Sequence, residues 1–140
     1  MKDLQNKSIL VIDDDSETRY ALEKILSGKG AAVTCAEWAG DAVDILTKRD
    51  KRIDLVITDL RMPMISGVTI VYAVHEIFPN LPVIVLTGFT SPDLKEECRR
   101  QGAAAFLDKP LRSAQLMQAI KSVLSEPSRE REIADLGKRK

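Results

Sequence analysis

Short apolar runs alternate along the chain with longer stretches in which apolar residues recur every three or four positions. The runs "DLVITD" and "PVIVLT" are continuous in Val, Ile and Leu instead of alternating with polar residues. Strands that are apolar on both sides are typical of a parallel sheet covered by helices on both faces. The pattern predicts five strands: Ser8–Asp13, Ala32–Ala36, Ile53–Thr58, Pro82–Thr87 and Ala104–Leu107.

The stretches with a helical period lie between and after these strands. The helix that begins in "SPDLKEE" has a clear start, because Ser91 can cap it, Pro92 suits its first turn and acids follow near the positive end of the dipole. Five helices are predicted: Ser16–Ser27, Glu37–Arg49, Ser66–Phe78, Ser91–Gln101 and Ser113–Leu124. Five successive β-α units joined by right-handed crossovers predict a doubly wound α/β sandwich.

The composition suits one globular domain, since the chain has 140 residues, of which 44% are hydrophobic and 30% charged. Lys plus Arg number 21, as do Asp plus Glu, so a zero net charge leaves no electrostatic footprint for nucleic acid or an anionic membrane. The start "MKDLQNKS" lacks a signal-peptide core, and no apolar stretch approaches the ~20 residues that span a bilayer. We therefore expect a cytoplasmic protein without direct nucleic-acid or membrane partners, in which Cys35 and Cys98 are packed thiols.

Polar residues suited to chemistry stand where the predicted strands end. Asp13 and Asp14 follow the first apolar run, Asp59 the third and Lys109 the fifth, and Thr87 ends the fourth. In doubly wound sheets the ligand site lies beyond the carboxyl ends of the strands. Clustered carboxylates are tolerable around a hard divalent cation such as Mg²⁺, and a lysine ammonium suits a phosphate oxygen. The pattern therefore indicates Mg²⁺-dependent phosphate chemistry.

The sequence lacks the motifs that other nucleotide-binding and hydrolytic sites require. The chain has neither a GxxxxGKS/T loop, as P-loop NTPases do, nor a GxGxxG turn after the first strand for a dinucleotide. The single histidine, His75, falls within a predicted helix, where a surface or packing role is expected, and no Ser-His-Asp arrangement can be built. The nucleophile that best fits Mg²⁺, a lysine and a phosphate is a carboxylate, which can form an aspartyl phosphate.

Four motifs in order, "VIDDD", "VITDLRMP", "VLTG" and "FLDKP", resemble the receiver domain of bacterial two-component response regulators over roughly Lys7 to Leu124. The resemblance implies a flavodoxin-like (βα)5 sandwich whose parallel sheet has the strand order 2-1-3-4-5. It also implies a phosphorylation-activated signalling switch rather than an enzyme with external substrates. A histidine kinase or a phosphotransfer protein would then supply the phosphoryl group, and the receiver would catalyse only its own phosphorylation and dephosphorylation.

The resemblance carries specific roles to the acidic residues. Asp59 matches the phosphoacceptor, and Asp13 and Asp14 match the acidic pair that holds Mg²⁺ or Mn²⁺, one directly and one partly through water. Asp59 and the backbone carbonyl of Arg61 would complete the protein ligands. Bound metal would neutralise charge on the phosphoryl group while Asp59 attacks in line.

The resemblance also implies how the switch works. Thr87 matches the hydroxyl that moves to bind the phosphoryl group, and Lys109 matches the lysine that pairs with the free or phosphorylated carboxylate. Phe106 matches the aromatic residue that turns inward on activation. The Lys109–Pro110 bond is expected to be cis, as it usually is in this family. The surface that changes would comprise the fourth helix, fifth strand and fifth helix, through which receivers often form homodimers.

Two positions depart from the family pattern, and two others are ones at which the family varies. Where many receivers have "MPGMDG", this chain has "MPMISG", with Met64 for a glycine and Ser66 for an aspartate, which predicts a stiffer and more apolar loop. Arg61 and Phe89 stand two residues after the acceptor and the threonine, where side chains commonly tune the phosphoryl lifetime. Their size leads us to expect hindered water attack and slow loss of phosphate.

Plainer interpretations of the same residues stay open. Asp13 and Asp14 can cap the first helix, although Asp15 can do so alone, and Asp15 otherwise is a first-turn acid. Asp59 can be a turn former, and an ordinary surface role for Lys109 or core role for Phe106 is also open. At the level of function, the alternatives are a small Mg²⁺-dependent phosphatase or phosphotransferase and a receiver-like module that binds partners without phosphate.

The chain changes character after Leu124. Pro127 is expected to interrupt the last helix, and residues 126–140 are mostly charged with both signs present. We therefore predict a receiver domain over 1–125, followed by a charged tail or the start of a linker toward an output domain beyond Lys140. "LRMP" is frequent in receivers attached to transcription activators, which makes transcription regulation one candidate output.

Overall fold

The structure, a computed structural model, describes residues 3–48, 52–60, 66–88 and 92–138, with side chains to residue 125. Its elements alternate strand and helix throughout, as the hydrophobic pattern predicts. They are β1 Ser8–Ile12, α1 Ser16–Gly28, β2 Ala32–Ala36, α2 Ala39–Thr47, β3 Leu55–Asp59, α3 Gly67–Ile77, β4 Val83–Thr87, α4 Pro92–Arg100, β5 Ala105–Asp108 and α5 Ser113–Lys138.

The five strands form one parallel sheet in the order β2-β1-β3-β4-β5. The predicted doubly wound sandwich and its strand order are therefore confirmed. The strand bounds differ from the predicted ones by two residues or fewer. Because β1 and β3 are neighbours in the middle of the sheet, the residues that follow β1 lie beside the end of β3.

The sheet divides the core into two layers, because successive side chains of a strand point to opposite faces. Ile9 and Val11 of β1 belong to one buried cluster, which includes Leu22 of α1 and residues of α5. Leu10 and Ile12, the alternate residues, belong to the second cluster with residues of α2, α3 and α4. The continuous apolar runs are thus explained by helices on both faces of the sheet.

The start of α1 resolves one question that the sequence left open. Asp15 is the N-cap, since its side chain accepts a hydrogen bond from the backbone N–H of Glu17. The hydroxyl of Thr18 also donates to Asp15 at 2.7 Å, and these bonds lower the pKa of the Asp15 carboxyl. Asp13 and Asp14 are therefore not needed as caps.

The end of α5 lies well beyond the position predicted from the sequence. The helix does not stop near Leu124 but runs through Pro127 to Lys138. A proline inside a helix removes one hydrogen bond and crowds the preceding turn, yet it often bends a helix instead of ending it. The residues that follow, "SREREIADL", are mostly good helix formers, which favours continuation. The boundary near residue 125 remains a prediction.

Several smaller expectations concern packing. Cys98 is buried and Cys35 half-buried, and burial raises the pKa of both thiols, in agreement with packed cysteines. His75 packs against the turn after α4, because a Cβ built on Gly102 would lie 2.9 Å from His75 Nδ1. Ser91, the expected cap of α4, lies outside the described residues. In the part of the chain that is described, no helix is both long and apolar enough to cross a membrane.

Candidate phosphoryl-transfer site

The structure brings the predicted site residues to one edge of the sheet. Asp13 directly follows β1, Asp59 is the last residue of β3, Thr87 is the last residue of β4, and Lys109 directly follows β5. These strands are parallel, so their carboxyl ends meet at the same edge. The predicted convergence of these residues at one rim of the sheet is therefore observed.

The acidic residues form a compact oxygen cluster. Asp13, Asp14 and Asp59 each offer a carboxylate oxygen, and these atoms lie within 4.8 Å of one another. Asp13 and Asp59 are buried whereas Asp14 is exposed, so the cluster faces solvent on one side only. A donor set of carboxylate oxygens with open access fits a hard divalent cation such as Mg²⁺, which keeps several waters.

Lys109 connects two of these carboxylates. Its Nζ lies 3.3 Å from Oδ2 of Asp13 and 3.3 Å from Oδ1 of Asp59. Partial burial disfavours the ammonium, but the neighbouring charges of Asp13 and Asp59 outweigh it and raise the pKa of Lys109. Lys109 is therefore a fixed positive charge inside the site and not an ordinary surface lysine.

Asp13 is in the opposite electrostatic situation. Burial raises the pKa of its carboxyl, and the nearby charge of Asp59 adds to the rise. The backbone N–H of Asp15, which donates to Asp13 Oδ1 at 2.9 Å, and the ammonium of Lys109 counteract part of this effect. The ionised form of Asp13 is therefore disfavoured in the site, and a bound cation would stabilise it.

Arg19 holds the loop that carries the acidic pair, a contact that the sequence analysis missed. Its Nη1 donates to the backbone carbonyl of Asp13 at 2.7 Å, and its Nη2 donates to Oε1 of Glu37 at 3.3 Å. A cation near the positive end of a helix dipole is unfavourable unless it has a local partner. The position of Arg19 near the start of α1 therefore indicates, from the sequence alone, that its side chain has a local acceptor.

Thr87 is placed at the site but its hydroxyl points toward β5. The residue is almost fully buried, and Oγ1 donates to Oδ1 of Asp108 at 2.8 Å, with the carbonyl of Leu107 at 3.4 Å. Phe106 is half-buried and packs against the core cluster that contains α3 and α4. The Nζ of Lys95 in α4 lies 5.8 Å from the centre of the Phe106 ring. The partner of Thr87, Asp108, has no role predicted from the sequence.

Gly67 sets how closely α3 approaches the end of β3. A Cβ at this position would lie 2.5 Å from the carbonyl oxygen of Asp59 and 2.8 Å from the Cα of Leu60. The N–H of Gly67 donates to the carbonyl of Leu60 at 2.7 Å. Only a residue without a side chain permits this approach, so Gly67 fixes the backbone behind Asp59.

The expected cis peptide bond is present between Lys109 and Pro110. Four further expectations lie wholly or partly outside the described part of the chain. They are the backbone carbonyl of Arg61 as a metal ligand, the side chains of Arg61 and Phe89 as tuning groups, and the stiffer, more apolar loop that contains Met64.

A doubly wound parallel sheet with three clustered carboxylates, a lysine and a threonine at its carboxyl edge is the arrangement expected of a receiver domain. A model of the response regulator receiver domain family matches residues 9–121. The chain therefore belongs to the response regulator receiver domain family, whose members act as phosphorylation-activated signalling switches.

Relatives and solved structures agree with this assignment. NtrC of Klebsiella pneumoniae, described as a DNA-binding transcriptional regulator, is 34% identical over 100 residues, which are 71% of this chain and 21% of NtrC. The transcriptional regulatory protein FixJ of Azorhizobium caulinodans is 34% identical over 133 residues, 92% of this chain and 62% of FixJ. A receiver domain from Clostridium thermocellum superposes with a TM-score of 0.81 at 32% identity, covering 91% of this chain and 98% of that one. The chain thus spans only about a fifth of the NtrC relative.

Proposed function

We propose that Asp59 accepts a phosphoryl group in a Mg²⁺-dependent reaction and that Asp13, Asp14, Thr87 and Lys109 assist it. The observation that carries this proposal is the position of Lys109 Nζ, 3.3 Å from both Asp13 and Asp59, beside three carboxylates within 4.8 Å. Such a cluster of opposite charges around one buried carboxylate suits the transfer of a phosphoryl group. Mn²⁺ satisfies the same oxygen donors.

The reaction balances with residues of this chain. A carboxylate oxygen of Asp59 attacks phosphorus in line, an O–P bond forms, and the bond from phosphorus to the donor breaks with its electron pair leaving on the donor. A divalent cation held by Asp13, Asp14, Asp59 and the Arg61 carbonyl would neutralise charge on the phosphoryl oxygens. Lys109, already beside Asp59, donates a charged hydrogen bond to one of those oxygens.

The response to phosphorylation starts at Thr87. The new phosphoryl group brings about two negative charges to Asp59 and strong acceptor oxygens, which attract the Thr87 hydroxyl. Movement of Thr87 toward Asp59 would loosen its bonds to β5, where Phe106 lies beside the core cluster of α3 and α4. The surface formed by α4, β5 and α5 would then change its affinity for a second copy or an output domain.

The partners follow from the same chemistry. The donor would be a phosphohistidine of a histidine kinase or of a phosphotransfer protein. The phosphoryl group would move from the histidine nitrogen to the carboxylate as the P–N bond breaks. An output domain joined after α5 is consistent with the relatives, since the chain covers 21% of NtrC and 62% of FixJ. Beyond its own phosphorylation and dephosphorylation, the domain would have no substrate.

Intact-mass spectrometry after incubation with acetyl phosphate and Mg²⁺ tests the proposal. We expect a gain of one phosphoryl group that disappears without Mg²⁺ and in Asp59→Asn. The matched control is Asp41→Asn, which alters an exposed aspartate in the first turn of α2 and should be phosphorylated normally. A folded wild type that gains no mass, or Asp59→Asn that still gains it, would overturn the assignment. Release of phosphate without a labelled protein would favour a phosphatase.

A further inference from the structure

The hydroxyl of Thr87 donates to a charged residue of β5, on the side of β4 that faces away from Asp59. Oγ1 lies 2.8 Å from Oδ1 of Asp108, and the Cα register pairs Thr87 with Asp108 across β4 and β5. Asp59 lies on the other neighbour of β4, where the register pairs it with Leu86. Thr87 therefore stands between an acceptor on β5 and the proposed phosphoacceptor on β3.

A hydroxyl has one proton, so these two acceptors compete for it. While Thr87 donates to Asp108, it cannot donate the same proton to a phosphoryl oxygen on Asp59. Hydrogen bonds to ionised acceptors are stronger than neutral ones, and the Thr87 side of this bond is almost fully buried. The present rotamer is thus held by a specific interaction.

Asp108 also touches the face that is proposed to respond. Lys95 of α4 places its Nζ 3.9 Å from the same Oδ1 of Asp108. The same Nζ lies 5.8 Å from the centre of the Phe106 ring. One carboxylate oxygen therefore links Thr87 on β4 with Lys95 on α4, and through Lys95 it is linked to the aromatic residue of β5.

We propose that Asp108 is a positioning residue that holds the Thr87 hydroxyl away from Asp59 in the unphosphorylated state and ties that state to α4 through Lys95. This inference rests on the proposed function of Asp59. Loss of the Asp108 acceptor lowers the cost of turning Thr87 toward the phosphoryl group. A smaller free-energy contribution from the phosphoryl group is then enough to shift the domain to its activated conformation.

The test uses beryllofluoride with Mg²⁺ as a phosphoryl mimic and follows binding by backbone amide NMR. We expect Asp108→Ala, which removes the acceptor, to bind beryllofluoride about fivefold more tightly than wild type, the equivalent of one ordinary hydrogen bond. Asp108→Asn keeps a neutral acceptor oxygen and should show a smaller gain. The Asp108 side chain is 80% exposed, so both variants should fold. Asp93→Asn, which removes another negative charge in the first turn of α4, is the control and should bind as wild type does.

A double-mutant cycle with Thr87→Val separates hydroxyl competition from a general charge effect. In the Thr87→Val background the gain from Asp108→Ala should vanish, because no hydroxyl remains to be released. Equal binding by wild type and Asp108→Ala, or the same gain in both backgrounds, would overturn the inference while leaving Asp59 as phosphoacceptor. If folded wild type and every variant neither bind beryllofluoride nor take up phosphoryl groups, the proposed function and the inference both fail.

Discussion

The Nζ of Lys109 lies 3.3 Å from Oδ2 of Asp13, a residue with no exposed surface. This contact joins the end of β5 to the end of β1 across the sheet, although 96 positions separate the two residues in the chain. Burial disfavours the charged form of both side chains, and the attraction between the two charges offsets part of that free-energy penalty. The pair therefore affects stability as well as the proposed chemistry.

Replacing Lys109 with methionine should lower stability and prevent the phosphorylation response together. The variant leaves Asp13 and Asp59 without their positive neighbour, and we expect a loss of about 2 kcal/mol in the free energy of unfolding without metal, since the ammonium is partly exposed. Mg²⁺ should recover part of the loss. Urea denaturation with and without Mg²⁺ measures it, and Lys121→Met, which breaks only an exposed pair with Asp3, is the control. Unchanged stability would show that the pair is not coupled to folding.

Asp13→Asn should raise the melting temperature in metal-free buffer while removing stabilisation by Mg²⁺. Burial and Asp59 raise the folded-state pKa of Asp13 above its ordinary value of 3.8, so the folded protein holds this proton more tightly than the unfolded chain does. Stability from Asp13 is thus present at low pH and falls as pH rises from 3.8 through the higher folded pKa.

The measurement is the difference in melting temperature between Asp13→Asn and wild type, taken without metal from about pH 4 to about pH 7. The difference should increase with pH, because the other carboxyl groups largely cancel in the comparison. A difference that shrinks as pH rises would show that the Asp13 charge is net favourable, and the role assigned to burial would be wrong.

Gly67→Ala should destabilise the domain by about 2 kcal/mol, in the range for overpacked sites, and slow phosphorylation of Asp59. The added Cβ would meet backbone atoms of Asp59 and Leu60, which cannot move without displacing the end of β3. The matched control is Gly28→Ala at the end of α1, where a Cβ meets no atom within 4 Å. That variant should be neutral or slightly more stable. Denaturant midpoints and acetyl phosphate labelling rates check both, and equal behaviour of the two variants would contradict the prediction.

Arg19→Gln should weaken Mg²⁺ binding severalfold while costing about 1 kcal/mol of stability, because the charged hydrogen bond to the Asp13 carbonyl is lost. Glu37→Gln is the comparison, since it removes only the 3.3 Å ion pair of Arg19 with a half-exposed carboxylate and should have a small effect. Calorimetric Mg²⁺ titration distinguishes the two. If Glu37→Gln impairs binding as much as Arg19→Gln does, the ion pair and not the carbonyl contact positions the loop.

The hydrophobic pattern was sufficient to predict the helices and strands, because the type and ends of each element depend mainly on residues close together in the chain. A strand buried on both faces must be apolar throughout, and α3 must end near Pro79, which can neither donate its hydrogen bond nor continue the helix. The largest error in a predicted element end, the interruption of the last helix at Pro127, shows the limit of that rule. A proline weakens a helix by a few kcal/mol, and neighbouring residues that favour helix can offset the cost.

The acidic site was predictable for a related reason. Parallel strands bring their carboxyl ends to one edge, so Asp13, Asp59 and Lys109 were expected together before any distance was known. The strand order itself did not follow from the alternation of elements, which is compatible with several orders. It was inferred from the resemblance of the four motifs and is confirmed by the sheet.

By itself, then, the sequence determined the element types, the two-sided core and the set of residues at the carboxyl edge, because each depends on local periodicity or on strand direction. Only the tertiary structure decided that Arg19 holds the Asp13 carbonyl and that Thr87 donates to Asp108. Both contacts depend on side-chain rotamers and on the positions of separate elements, in which a shift of about half an ångström makes or breaks a hydrogen bond. Those quantities are set by packing of the whole domain and leave no periodic trace in the chain.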